Sequence, residues 1–215
     1  VIALDEGNSR EAICLVFEKV NVGGKKLDAF ELVTAIYAAD RFDLRKDWAG
    51  DSATGTPGRL KTMVGSPNRR DVLTKLASTD FLQACTVLHT MKKRDIARQA
   101  GKTGNELPQI SCNRNALLAL PLASYQEFAD DVEKGFVRAA GILNELKIIW
   151  HKDIPYPPLL VTIAAVHAAM RATTLSAAAK EKLARWAWSI SLGELYGSST
   201  YCRIAPAVPE MTEWI

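Results

Sequence analysis

The chain has 215 residues, 48% of them hydrophobic and 24% charged, which is the composition of an ordinary globular protein with a sizeable core. No stretch approaches the ~20 uninterrupted apolar residues of a membrane span, and no basic targeting peptide is visible. Four widely spaced cysteines without a C-x-x-C pair argue against a disulfide framework and favour reduced thiols in the cytoplasm. The absence of an initiator methionine hints that the sequence begins within a longer protein.

The net charge of +3 is distributed unevenly along the chain. Residues 59–120 carry eleven Lys and Arg against four Asp and Glu, a balance of +7. The segments before and after it have balances of −3 and −1. The middle third is therefore the only part expected to meet a polyanion.

The first predicted helices cover 9–20 and 28–40, the second opening on a capping-box pattern, Asp28-x-x-Glu31. Between them, Asn21, Gly23 and Gly24 form a turn at a helix exit. One interpretation is a structural hinge between packed helices. In the other, the uncovered backbone N–H groups hold a phosphate or the backbone of a neighbouring domain.

A short helical turn is expected at 44–48, followed by a surface loop at 50–58 and a short amphipathic stretch at 60–64. A long helix should begin near Ser78 or Thr79, with either hydroxyl as its cap. Phe81 and Cys85 start its apolar stripe, which continues through Leu88 and Met91.

Further helices are predicted at 113–120, from Ser124 to about 147, at 158–170 and at 176–196. Glu127 completes a capping box with Ser124. The last helix is apolar on nearly all sides, so we expect it to be central and to bury Trp186 and Trp188. No alternating strand pattern appears. The fold class is all-α, a multi-helix orthogonal bundle with long connecting loops. We expect a single helical domain over 1–215, or a fragment of a larger protein, with loop 50–58 as the candidate sub-boundary.

No catalytic residue, metal ligand set or cofactor site emerges from the sequence. A G-x-x-x-x-G-K-[ST] phosphate loop is absent. Cys85 and His89 share a helix face, but no second pair completes a zinc site, and Cys85 also continues an apolar stripe. His167 lies in an alanine-rich segment and is interpreted as a helix-surface histidine or a satisfied core histidine.

The basic middle third supplies the candidate binding residues. They contact phosphates if the fold places them together, and otherwise they are solvated helix ends. These candidates are Arg69, Arg70, Lys92, Lys93, Arg94, Arg98 and Arg114.

Several segments together resemble the GmrSD-type family, which is linked to modification-dependent restriction and phage defence. Its most specific motifs here are Phe-Glu-Lys-Val-Asn-x-Gly-Gly within 13–24 and Gly-Glu-Leu-Tyr-Gly at 193–197. The other matching segments are 30–35, 80–84, 111–114, 153–156 and 185–188. The chain departs from the family pattern at Val22, at Asn113 and at 157–158, and the change at Asn113 weakens 111–114 as a phosphate site.

The resemblance implies a parent protein with an upstream ParB-like domain, marked by an Asp-Gly-Gln-Gln-Arg motif, and a downstream nuclease. Neither motif is present in this sequence. The implied nucleotide and divalent metal therefore belong to the parent protein, an NTP-dependent nuclease. Two hypotheses follow for this chain: a helical scaffold and coupling region that is catalytically silent alone, or a nucleic-acid-binding helical domain that uses residues 59–120. A salt-dependent shift of generic duplex DNA would favour the second.

Overall fold

A computed structural model describes residues 28–65, 71–171, 175–193 and 200–215. Within these ranges the chain is a helical bundle, with one small hairpin as its only strands, so the predicted all-α class is confirmed. The predicted turn at Asn21, Gly23 and Gly24 lies outside the described residues, as do Arg69 and Arg70.

The described part of the chain contains nine α-helices. In chain order they are α1 (Ala29–Ala39), α2 (Leu44–Ala49), α3 (Arg59–Val64), α4 (Ser78–Gln99), α5 (Arg114–Leu118), α6 (Leu122–Glu145), α7 (Pro157–Met170), α8 (Ala177–Leu192) and α9 (Thr200–Trp214). Three short 3-10 helices lie between them, at Asp71–Leu73, Gly104–Glu106 and His151–Asp153.

Local capping chemistry sets the starts of two helices as the sequence predicts. The Asp28 carboxylate accepts from the Glu31 amide at 2.8 Å, and the Glu31 carboxylate accepts from the Asp28 amide at 3.1 Å. The Ser176 hydroxyl likewise accepts from the Ala179 amide at 3.1 Å and begins α8. Each cap satisfies backbone donors that the first helical turn leaves without partners.

Two predicted helix starts differ from the structure. At α4 neither predicted hydroxyl is the cap; the Ala77 amide donates to the Asp80 carboxylate at 3.3 Å. Helix α6 begins at Leu122, directly after Pro121, so Ser124 lies inside the first turn rather than before it. Pro121 has an extended backbone conformation and no side-chain acceptor. A pattern of capping side chains therefore does not mark this helix start.

The predicted loop 50–58 contains a β-hairpin that joins α2 to α3. Strands β1 (Gly50–Asp51) and β2 (Thr56–Pro57) pair antiparallel, with Gly50 opposite Pro57. Gly50 has φ +94°, and a Cβ atom on Gly58 would lie 2.2 Å from the Gly50 nitrogen. Two-residue strands are too short to show alternation, so no sequence pattern predicts them.

The central helix is α7, and the expectation that the last predicted helix is central was wrong. Every residue from Pro158 to Ala168 is buried. Helix α8 instead buries a single face: Ala179, Leu183, Ala187 and Ile190. Other apolar residues of this helix, among them Trp188 and Leu192, are left exposed.

The tryptophans of α8 show the consequence of this placement. Trp186 is half-buried against the core, whereas Trp188 is 44% exposed and Leu192 is 81% exposed. The expectation that both indoles are buried is therefore wrong for Trp188.

Helix α9 packs against α7 and buries Ile204, Val208 and Met211, although no sequence pattern predicts a helix there. Pro206 and Pro209 lie inside it. Proline removes a helical hydrogen bond and normally ends a helix, so the segment shows no helical signature. Among the described residues, no helix combines the length and apolarity needed to cross a bilayer.

Candidate functional site

The most elaborate polar cluster in the described structure is centred on Arg59, the first residue of α3. We call it the Arg59 network, and its members are Arg59, Asp47, Tyr125, Asp130 and Glu133. Arg59 Nε donates to Asp47 Oδ2 at 2.7 Å. One terminal nitrogen of the guanidinium donates at 2.8 Å to both Asp130 Oδ1 and Glu133 Oε2. The network therefore joins α2, α3 and α6.

Most of the network is withdrawn from water. The side chains of Arg59, Asp47 and Glu133 are 17%, 23% and 22% exposed, whereas Asp130 is 74% exposed. The Arg59 guanidinium also lies over the Phe81 ring, 6.0 Å from its centroid. Ion pairs at this depth are screened less than surface pairs, and removal of one partner leaves an uncompensated charge.

Three groups of the network have pKa values that differ from their ordinary values. Burial lowers the pKa of Arg59, but the Asp130 and Asp47 hydrogen bonds outweigh it and raise that pKa overall. Burial raises the pKa of Glu133, and Arg59 opposes the rise only in part. Burial also raises the pKa of Tyr125, whose hydroxyl donates to Asp47 Oδ2. At neutral pH the network thus holds a guanidinium cation and a neutral phenol.

Cys85 is fully buried near this network but does not serve as a nucleophile there. Burial raises the pKa of its thiol far above neutrality. The thiolate is the reactive form of cysteine, so this side chain behaves as a small apolar group. The predicted apolar stripe therefore explains Cys85, and the zinc alternative gains no support: the described residues include no group of three or more His, Cys, Asp and Glu that could hold a metal ion.

Three of the basic candidates of α4 lie at two adjoining grooves, which share Met91 and Asp95. Lys92 donates to the Glu127 carboxylate at 2.6 Å. Arg94 donates to the Pro108 carbonyl at 3.0 Å, and Arg98 pairs with Asp95 at 3.4 Å. Arg94 and Arg98 line a groove of about 630 Å³ against α9, whereas Lys92 lines a different groove of about 540 Å³ beside α6 and α7.

The two other described candidates lie apart in position and burial. Lys93 is exposed on α4, and Arg114 is half-buried at the first residue of α5. Lys93 directly follows Lys92 on α4 and is exposed with it, whereas Arg114 lies on a different helix.

His167 fits neither interpretation drawn from the sequence. It is only 3% exposed, so it is not a surface histidine. Both ring nitrogens are buried without a hydrogen-bond partner within the described part of the chain, so it is not a satisfied core histidine either. Buried polar groups without partners are rare in folded proteins and point to a functional or strained position.

Sequence reasoning missed the Arg59 network. Two of its carboxylates, Asp130 and Glu133, lie in the middle of α6. Asp130 and Glu133 stand three residues apart on one face of that helix, and this spacing was the available signal. Their partner is more than seventy residues away in sequence, so no local pattern identifies it.

Comparison of the chain with protein-family models, with curated proteins and with solved structures finds no match.

Proposed function

We propose that this chain is a cytoplasmic helical scaffold and coupling region of a GmrSD-type restriction or phage-defence protein, catalytically silent by itself. Its partners are a ParB-like domain, which supplies the nucleotide and divalent metal chemistry, and a nuclease domain. The proposal rests on the sequence resemblance together with one structural observation, the internal use of charged side chains.

That observation concerns the middle third of the chain, where the positive charge is concentrated. Arg59 makes its ion pairs inside the fold, and Lys92 and Arg94 bond to groups of the same chain. A neighbouring carboxylate offsets part of the positive charge that such a side chain presents to a phosphate. These arginines and lysines therefore support a role in holding helices together more than a role in binding nucleic acid.

A coupling region also needs a surface that meets its partner, and α8 offers one. Trp188 and Leu192 are four residues apart, so they share a helix face, and both are exposed. Trp188 belongs to the 185–188 segment that carries part of the family resemblance. Exposed tryptophan is the residue type most enriched at the energetic centres of protein interfaces. We assign this pair as the contact with the ParB-like domain.

The test is calorimetric titration of the chain with a GmrSD-type ParB-like domain supplied in trans. We expect a saturable complex, weakened about tenfold or more by Trp188→Ser combined with Leu192→Ser. Trp150→Ser is the matched control, because Trp150 is also an exposed tryptophan, at 50%, but lies far along the chain from α8. Circular dichroism checks that each variant remains folded.

Two results would contradict the proposal. One is the absence of binding to the ParB-like domain at concentrations where the chain is folded. The other is a complex that the double variant leaves unchanged. Salt-dependent binding of duplex DNA in place of the domain would favour the alternative, a nucleic-acid-binding helical domain.

A further inference from the structure

A small cavity of about 310 Å³ lies between α6 and the C-terminal end of α7. Its lining is mostly charged: Asp131, Lys134, Arg138, His167, Ala168 and Arg171. Three of these side chains are cationic and one is anionic, so the formal charge of the lining is positive with histidine neutral. The volume admits a tetrahedral oxyanion with a small attached group.

The wall of this cavity includes His167, a buried histidine. His167 is 3% exposed, and neither Nδ1 nor Nε2 has a hydrogen-bond partner among the described residues. A neutral imidazole carries one N–H donor, and burying that donor without an acceptor costs free energy. A ligand that presents oxygen acceptors to the cavity would satisfy it.

The only carboxylate in the lining is already occupied. Asp131 Oδ2 lies 3.3 Å from Arg171 Nε, and the Arg171 side chain is 64% exposed. An anion entering the cavity can share Arg171 with Asp131, because a guanidinium has five N–H donors. Lys134 is exposed at the same cavity, and Arg138 is half-buried.

We propose that this cavity binds a phosphate group, carried by inorganic phosphate or by a small phosphate monoester, with Lys134, Arg138, Arg171 and His167 as its ligands. This assignment is independent of the scaffold role proposed above and would stand if that role failed. Arginine and lysine supply the charge-assisted hydrogen bonds that phosphate oxygens accept. His167 adds a donor at the buried end.

Binding should be linked to proton uptake by His167. In the free protein, burial lowers the pKa of His167, and together with the charges of Arg138 and Lys180 it brings that pKa to about 4. The other charged groups at the cavity are Asp131, Lys134 and Arg171. A bound anion reverses the local electrostatics, because a negative charge beside an imidazole favours its protonated form.

The experiment follows the three histidine Cε1 proton resonances by NMR during pH titration, with inorganic phosphate, glycerol phosphate or sodium chloride at equal ionic strength. His167→Gln assigns the resonance. We expect phosphate to raise the His167 midpoint by about one pH unit or more, and sodium chloride not to raise it. Tighter binding of glycerol phosphate would identify a monoester as the ligand, whereas tighter binding of inorganic phosphate would identify the free ion.

Variants locate the effect in the cavity. Arg138→Gln and Lys134→Gln should each weaken phosphate binding about tenfold, because each removes a charge-assisted hydrogen bond. Lys134 is exposed, so its variant keeps the fold even if Arg138→Gln does not. Lys152→Gln, an exposed lysine outside the cavity, should bind as the wild type does. The proposal is overturned if phosphate acts no differently from sodium chloride, or if Lys134→Gln and Arg138→Gln both bind normally.

Discussion

Arg59 shows how a single side chain can organise several elements. Its guanidinium is nearly buried, yet each of its observed contacts is to a carboxylate oxygen or to the Phe81 ring. A buried charge is tolerated only when paired and hydrogen-bonded, and the cost appears when one partner is removed. Without the Arg59 guanidinium, no cation would pair with Asp47 and Glu133 in this network.

We therefore expect Arg59→Met to lower the free energy of unfolding by about 3 kcal/mol at pH 7. Urea denaturation measures the change. Arg98→Gln is the matched control, since Arg98 is 59% exposed and its pair with Asp95 should contribute no more than about 0.5 kcal/mol. Equal effects of the two variants would show that the Arg59 network does not stabilise the fold.

His167 gives a second residue-scale prediction, in the pH dependence of stability. Its pKa is about 4 when folded and 6.5 in its ordinary state, so the unfolded chain binds more protons between these values. Stability should therefore rise with pH through this window and be unaffected by His167 above it. From pH 7 to pH 4, His167 should lower the free energy of unfolding by about 3 kcal/mol.

The measurement is urea unfolding in phosphate-free buffer at several pH values, for the wild type and for His167→Gln. Carboxylates also titrate in this range, so the informative quantity is the difference between the two pH profiles. The wild type should lose more stability on acidification than the variant. Parallel profiles would mean that His167 is protonated as readily in the folded state as in the unfolded chain.

At the scale of elements, the contact between α6 and α7 depends on one glycine. A Cβ atom at Gly135 would lie 2.3 Å from the Ala164 carbonyl oxygen, which belongs to the backbone of the central helix. A backbone atom cannot move aside as the end of a flexible side chain can. Only glycine permits the two helices to approach this closely.

Gly135→Ala should lower the free energy of unfolding by about 2 kcal/mol, because the helices must separate to admit the methyl group. Gly141→Ala is a matched control on the same helix, with nothing within 4 Å of the added Cβ. It should raise stability by up to about 1 kcal/mol through helix propensity alone. Thermal unfolding distinguishes the two, and a stabilising Gly135→Ala would refute the close-contact interpretation.

The sequence predicted helices better where local rules decide the outcome. Asp28 and Ser176 cap helices in the expected way because a cap involves residues only three apart. No helix is predicted at α9, because its sequence contains two prolines. The helix packs against α7 and buries Ile204 and Val208, and such packing stabilises a helix that has low intrinsic propensity. Helix α8 was placed at the centre because an all-round apolar pattern cannot distinguish a buried helix from one that exposes part of its surface.

The candidate site was less predictable for a related reason. The Arg59 network joins residues 47, 59, 125 and 130–133, and the cavity at His167 joins α6 to α7. Both depend on which helix faces meet, and residue spacing within one helix carries no information on that. The sequence shows where the basic residues lie along the chain but not which residues of the fold pair with them.

At the scale of the whole molecule, a net positive segment need not be a nucleic-acid surface. Arg59 forms ion pairs with three carboxylates, and Lys92, Arg94 and Arg98 each have a partner within the chain. The last three lie at two adjoining grooves. Duplex DNA binding requires several cations that reach phosphates along one continuous face. In the described part of the chain, these cations are paired with carboxylates or bonded to a backbone carbonyl.

Fluorescence anisotropy of a labelled generic DNA duplex, titrated with the full chain from 50 to 200 mM salt, tests this claim most directly. We predict no saturable binding below about 100 μM chain at any of these salt concentrations, since non-specific binders have dissociation constants of about 1–100 μM. A micromolar dissociation constant that rises steeply with salt, and rises further in a variant with Lys92, Lys93 and Arg94 changed to Gln, would contradict the proposal that the basic third serves the scaffold.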